Sequence, residues 1–230
     1  MCNHYSGDPD RLAEFVRISA PWLRIPAAYS EAPAHMYPKR KGRVVRKKDG
    51  VAEMVRMRWG VWPFYAKDSR SLVTNARNDR LTTKAIWKQS VQHRRCLVPA
   101  TGYFEPGLGP VGARGEVLFK VRERQHFFIA GLWDNDPDQS GESGFTLVTT
   151  EPNDYVRPFH DRMPVVLSNA DAADWIGEDR LPDARLVELC RGLPSEALIH
   201  EEIAAKLPEK LTIKRPSKPA PPPDPQQFLF

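Results

Sequence analysis

The chain has 230 residues, 41% of them hydrophobic, so it is long enough to bury one sizeable core. No apolar run reaches the roughly 18 residues of a membrane-spanning helix, and no basic segment followed by an apolar one opens the chain. We therefore expect a soluble cytoplasmic protein without a membrane partner. The net charge of +5 mildly favours a polyanionic partner.

The first predicted element is a short amphipathic helix. Leu12, Phe15 and Val16 recur at helical spacing within residues 11–23, and Pro26 ends the pattern.

A β-hairpin is predicted next, from residues 43–46 and 51–62. The turn signal Lys48-Asp49-Gly50 joins these two β-rich runs. The basic run 39–48 is therefore expected to be a solvated hairpin rather than a groove.

The remaining elements predict an α+β protein. Strand-like runs, separated by Gly, Pro and Asp clusters, lie at residues 95–105, 116–123, 126–134 and 145–151. Helical segments are predicted at residues 82–92, 169–176, with Ser168 as the cap, and 182–193. We expect a single domain, residues 1–211, with an antiparallel β core flanked by short helices, followed by a disordered proline-rich tail, residues 212–230.

The three cysteines are too few and too scattered for a disulfide framework, and none lies in a pair spaced for zinc. Cys96 and Cys190 lie in apolar stretches and are expected to be small buried residues. Cys2 has no such neighbourhood.

Removal of Met1 would leave Cys2 with a free amine and a thiol two carbons apart. This pair traps aldehydes, because the amine forms a Schiff base to which the thiol adds, closing a thiazolidine ring. Both groups ordinarily titrate near neutrality, at about 7.7–8.0 and about 8.5. The alternative is an ordinary residue in a disordered terminus.

Three further segments place polar residues in apolar settings, at residues 72–81, 97–106 and 155–168. Together with the opening Met-Cys-Asn-His-Tyr, they resemble the SRAP (SOS response-associated peptidase) family, from Met1 to about Trp175. The resemblance implies a barrel-like β core and covalent capture of abasic sites in single-stranded DNA. It also implies a shielding role in the DNA damage response, weak lyase activity, and no metal or organic cofactor.

The resemblance also implies roles for individual residues. Cys2 matches the nucleophile, Asn75 the residue that positions the amino terminus, Glu105 the general acid/base, and His160 the residue that assists proton transfer at the sugar oxygen. Without the family, Glu105 and His160 would be interpreted as a partner for an arginine and a buried histidine.

Five further residues are predicted to contact DNA. Arg77 and Arg162 each stand two residues beyond a site residue and are expected to face a phosphate. Thr149 matches a position near the bound strand, although an ordinary strand threonine is the alternative. Phe64 and Tyr65 align approximately with aromatics that separate strands at a junction.

The sequence departs from the family's usual Cys-Gly-Arg start. Asn3 and His4 replace the glycine and arginine, and Pro106 stands where an aromatic residue commonly follows the glutamate. His4 is expected to replace the arginine's phosphate contact only partly, since imidazole is mostly neutral at pH 7.

The sequence is also compatible with two other functions. One is a cysteine autopeptidase or amidohydrolase, in which Cys2 attacks a carbonyl. The other is a non-catalytic single-strand binder, favoured only by charge and aromatic residues.

The last five residues, Gln226–Phe230, resemble the Gln-x-x-Leu-Phe peptides that dock into the bacterial DNA polymerase sliding clamp. A chance apolar terminus is the alternative. We expect a monomer, nucleoid-associated if bacterial.

Overall fold

The computed structural model describes residues 2–7, 14–15, 34–65, 72–108, 114–136, 141–177 and 180–204. The strands in this part of the chain are β1 His4–Ser6, β2 His35–Met36, β3 Lys41–Lys48, β4 Val51–Trp59, β5 Asn75–Arg77, β6 Arg95–Ala100, β7 Gly102–Leu108, β8 Arg114–Val121, β9 Phe127–Asn135, β10 Ser143–Thr150, β11 Met163–Pro164, β12 Val166–Leu167 and β13 Leu198–Ala204. The longer helices are α1 Ala85–His93, α2 Asn169–Gly177 and α3 Asp183–Leu189.

The predicted hairpin is confirmed as β3 and β4. Lys48 pairs with Val51, which leaves a two-residue turn. Asp49 and Gly50 adopt positive φ angles of 51° and 79°. Two consecutive left-handed residues are what a tight hairpin turn requires, and an Asp-Gly pair supplies them at low steric cost.

The larger sheet closes on itself into a barrel. Its strand order runs from β10 through β4, β3 and β6 to β9, and β10 also pairs with β9. The pairing of β10 with β4 is parallel, whereas the other neighbours in this ring are antiparallel. β5 pairs with β10 beyond the end of β4. The predicted α+β class with a barrel-like core is confirmed.

A second, antiparallel sheet has the order β13-β8-β7-β1-β2. The chain passes from the barrel into this sheet between β6 and β7, at Thr101. A Cβ added at Gly102 would lie 2.5 Å from the Leu118 Cδ1 atom and 2.9 Å from the Phe119 carbonyl oxygen. The close approach of β8 therefore requires glycine where β7 begins.

Helices cover one side of the barrel. The Trp175 indole of α2 is fully buried and donates to the backbone oxygens of Cys96 and Gly131, which fixes the helix on the barrel. Ser168 caps α2 as predicted, because its Oγ accepts the Asp171 amide.

The other sequence predictions for the fold have mixed outcomes. The predicted burial of Cys96 and Cys190 is confirmed, with exposed fractions of 0% and 3%. Within the predicted first helix, only Glu14 and Phe15 are described, and both are helical. The predicted tail, with its Gln226–Phe230 peptide, lies outside the described residues. No helix in the described ranges is long and apolar enough to cross a bilayer.

Candidate active site

Cys2 lies inside the protein, where it belongs to the core cluster between the barrel and the second sheet, and its exposed fraction is 1%. Its Sγ donates to the His4 backbone oxygen at 3.4 Å, and the backbone of Phe104 also hydrogen-bonds the sulfur. Burial, followed by the charge of Glu105, raises the thiol pKa far above its ordinary value. The expectation that this thiol titrates near neutrality is therefore wrong, and the sulfur is held as a neutral thiol.

Asn75 connects Cys2 to the barrel. It begins β5, and its exposed fraction is only 7%. The Nδ2 atom donates to the Cys2 backbone oxygen at 3.0 Å and to Thr74 Oγ1 at 3.1 Å. Its Oδ1 has no hydrogen-bond partner within the described ranges. The amide thus fixes the second residue of the chain and leaves one acceptor unused.

Glu105 contributes a buried carboxyl from β7, with an exposed fraction of 1%. Burial raises its pKa from 4.5 to about 7, although the amino-terminal charge acts in the opposite direction. A carboxyl with this pKa both donates and accepts protons near neutral pH.

His160 faces this carboxyl, with its Nε2 atom 3.9 Å from Glu105 Oε2. Burial, followed by the amino-terminal charge, lowers the pKa of the ring. In a neutral ring, Nδ1 accepts the Arg162 amide at 3.0 Å, and the proton then lies on Nε2, toward Glu105. The Asp161 Oδ1 atom, 2.9 Å from Nδ1, would form a hydrogen bond only with a ring protonated on that nitrogen.

An open cleft of about 610 Å³ lies beside His160. Arg77, Arg157 and Arg162 are among its lining residues, and Glu151 and Asp161 add negative charge. The side chain of Arg77 is 39% exposed and forms two hydrogen bonds with Asp79, at 2.9 Å and 3.0 Å. The cleft thus presents at least one exposed guanidinium to solvent.

Residues 1–208 match the sequence model of the SOS response associated peptidase (SRAP) family. The chain belongs to this family.

Several curated proteins resemble this SRAP chain. The abasic site processing protein YoaM of Bacillus subtilis is 30% identical over 125 residues, covering 53% of this chain and 55% of that protein. The match to the abasic site processing protein YedK of Escherichia coli is 26% identical and covers 78% of this chain and 81% of that one. HMCES of Gallus gallus, another abasic site processing protein, is 22% identical, and the match covers 80% of this chain and 64% of that protein. The chain thus spans about half the length of its Bacillus relatives.

Solved structures share the fold. A protein from Bacteroides thetaiotaomicron superposes with a TM-score of 0.72 at 20% identity, covering 88% of this chain and 92% of that one. A protein from Bordetella bronchiseptica superposes with a TM-score of 0.71 at 23% identity, covering 89% of this chain and 100% of that one.

Two residues predicted to contact DNA, Arg162 and Thr149, are buried in this structure. Arg162 is 4% exposed, and its Nη2 atom donates to Asn78 Oδ1 and to the Thr149 backbone oxygen, each at 2.7 Å. Thr149 is fully buried. Arg162 therefore ties the His160 segment to β10, and the Thr149 side chain presents no surface to a strand in this structure.

His4 also has a position that differs from the predicted phosphate contact. The ring is 5% exposed and stacks on Phe104, with centroids 3.7 Å apart. Its Nδ1 contacts the Glu116 carboxylate at 3.0 Å, and its Nε2 lies 2.8 Å from His35 Nδ1. Both nitrogens are thus engaged by the protein, so the ring stabilises the second sheet.

Phe64 and Tyr65 are placed at the surface, with exposed fractions of 69% and 63%. Their rings meet edge to face, with centroids 5.2 Å apart. An exposed aromatic pair is a surface on which nucleic acid bases can stack.

Sequence reasoning missed several contributors to the SRAP site. The Phe104 backbone, the Thr74 hydroxyl and the Asn78 side chain were not identified, although each contacts a site residue.

Proposed function

We propose that this chain processes abasic sites in DNA by covalent capture of the sugar aldehyde on Cys2, once Met1 has been removed. One observation carries the proposal: Asn75 fixes the second residue of the chain inside the protein, close to a buried carboxyl whose pKa is about 7. An ordinary chain terminus would fray into solvent instead. The names of the relatives support the same substrate.

The residues suit the chemistry step by step. The Cys2 amine attacks the aldehyde carbon, a C–N bond forms, and one amine proton passes to the aldehyde oxygen. The resulting hydroxyl leaves as water with a proton from Glu105, and the Schiff-base nitrogen returns its remaining proton to Glu105. The thiol then adds across the C=N bond, its sulfur bonding to carbon and its proton passing to nitrogen. The sum is aldehyde plus aminothiol giving thiazolidine plus water. Because no electrons are gained or lost, the reaction needs no redox cofactor.

The state of the thiol helps to choose between reactions. A cysteine peptidase attacks with a thiolate, which such enzymes obtain by lowering the thiol pKa. Burial and Glu105 act in the opposite direction at Cys2. A neutral thiol can still add to a Schiff base, which is a far stronger electrophile than an amide. The raised pKa therefore favours aldehyde capture over the autopeptidase alternative.

His160 and the cleft account for substrate placement. The ring directs its Nε2 toward Glu105 and is placed to pass a proton to the sugar oxygen when the ring opens. Arg77 is partly exposed and would exchange the Asp79 carboxylate for a phosphate, and the exposed pair Phe64 and Tyr65 suits unpaired bases, so we propose single-stranded DNA as substrate. The Schiff base also acidifies the neighbouring carbon, which would permit weak lyase activity. The closed ring would shield the lesion from strand cleavage.

The test incubates mature protein, its amino terminus checked by mass spectrometry, with an oligonucleotide that carries one abasic site. A heat-stable protein–DNA band is expected, and Cys2→Ala should abolish it. Cys190→Ala, which removes a buried thiol outside the site, is the matched control and should keep the band. Correctly processed protein that gives no band would refute the proposal. Loss of Met1 from the Cys2→Ala chain would show that processing does not use the thiol.

A further inference from the structure

The Tyr103 hydroxyl makes no hydrogen bond that would stabilise the described part of the fold. The side chain is fully buried, and its ring stacks on Phe119 with centroids 5.2 Å apart. The hydroxyl has no hydrogen-bond partner in the described part of the protein. A buried hydroxyl without a partner destabilises a protein, and phenylalanine would fill the same space without that cost. The hydroxyl is therefore suited to a partner other than protein.

The groups proposed to carry out aldehyde capture, Cys2 and Glu105, lie in the same region of the protein as this hydroxyl. Tyr103 and Glu105 are two residues apart on β7, so their side chains share a face of the strand. Between them, Phe104 bonds the Cys2 sulfur through its backbone. Cys2 and Tyr103 belong to the same buried cluster, and Glu105 is buried beside them on β7. Burial, followed by the charges of Cys2 and Glu105, raises the pKa of Tyr103. The phenol is thus a neutral hydrogen-bond donor at the site.

Building on the proposed function, we propose that Tyr103 is a further residue of the capture site, whose hydroxyl binds the water molecule that leaves when the Schiff base forms. The C–O bond of the carbinolamine breaks, and Glu105 supplies the proton that completes the water. The Tyr103 O–H donates to the departing oxygen, and the water then lies between the phenol and the carboxylate. A buried water needs two or more such polar partners.

A role in the loss of water predicts an effect on the rates of crosslink formation and reversal that a purely structural role does not predict. The water that leaves when the crosslink forms is the water that adds to the Schiff base when the crosslink reverses. A group that stabilises the transition state of this step, after which the water exchanges with solvent, acts equally on both directions by microscopic reversibility. Loss of the hydroxyl should slow formation and reversal by the same factor and leave their ratio unchanged.

Tyr103→Phe provides the test, with Tyr5→Phe as a matched control. Tyr5 pairs with Tyr103 across β1 and β7 and is also buried, but its hydroxyl lies over β3, 2.7 Å from a Cβ built at Gly42. Formation is measured with labelled abasic oligonucleotide, and reversal by transfer of the purified crosslink to excess oligonucleotide of another length. Urea unfolding shows whether each variant folds, and Tyr103→Phe should be at least as stable as wild type.

We expect Tyr103→Phe to slow both rates equally, by roughly three- to tenfold, the loss that one neutral hydrogen bond predicts. Tyr5→Phe should change neither rate. Unchanged rates in Tyr103→Phe, or a slower formation without a slower reversal, would overturn this inference while the wild-type crosslink stands. Absence of any crosslink with mature wild type would instead overturn the proposed function, and the inference with it.

Discussion

Glu105→Gln should make the protein more stable at neutral and alkaline pH. The folded carboxyl keeps its proton up to about pH 7, whereas the unfolded chain releases it near pH 4.5. Between these values the folded state binds more protons, so the free energy of unfolding falls as pH rises. With about 1.36 kcal/mol for each pH unit between the two pKa values, wild type loses about 3 kcal/mol by pH 8. Glutamine has the same size and no such titration.

The assay is urea unfolding of both proteins from roughly pH 5 to pH 8, and the quantity compared is the difference between their free energies of unfolding. This difference should move by about 2.5 kcal/mol in favour of the variant over this pH range, because the unfolded carboxyl is already mostly ionised at pH 5. Glu201→Gln is the control, because its half-exposed carboxylate pairs with Lys120 at the surface and should give a nearly flat difference. A flat difference for Glu105→Gln would refute the burial argument.

Two further predictions concern the DNA surface and the barrel. Arg77→Ala should weaken binding to single-stranded DNA and reduce the slope of log affinity against log salt by about 0.7. Thermal unfolding should be unchanged. An unaltered slope would show that Arg77 does not contact the DNA phosphates. Gly144→Ala should lower stability in urea unfolding by at least about 2 kcal/mol, because its Cβ would collide with the Gly60 backbone oxygen. Gly177→Ala, in α2 with open space around it, should gain up to about 1 kcal/mol, and similar effects at both glycines would contradict the packing argument.

The fold was predictable where short segments decide the structure. Asp49 and Gly50 define the β3–β4 turn because their own backbone preferences select it. Ser168 likewise caps α2 through a bond to a residue three positions away. The closure of the barrel was not accessible in this way, since β10 meets the end of β4 through pairing between residues far apart in the chain, at Phe145 and Trp59.

In the candidate site, too, local sequence identified residues, whereas contacts between distant segments determined their environments. Motif residues such as Asn75 and Glu105 could be named from the sequence, because their neighbours in the chain identify them. The environment of each side chain could not, since distant strands supply it. His4 is engaged by Glu116, 112 positions away, and the Cys2 thiol departs from its ordinary pKa because two sheets enclose it.

The ladders on both sides of β1 impose a length constraint on the start of the chain. Tyr5 pairs with Met36 on one side and with Tyr103 on the other, so the register of this strand is fixed from two directions. Because successive side chains on a strand point to opposite faces, one inserted residue before β1 would move Cys2 away from Asn75. Residue types at positions 3 and 4 can therefore change without moving Cys2, whereas an insertion or deletion ahead of Tyr5 would displace it from Asn75.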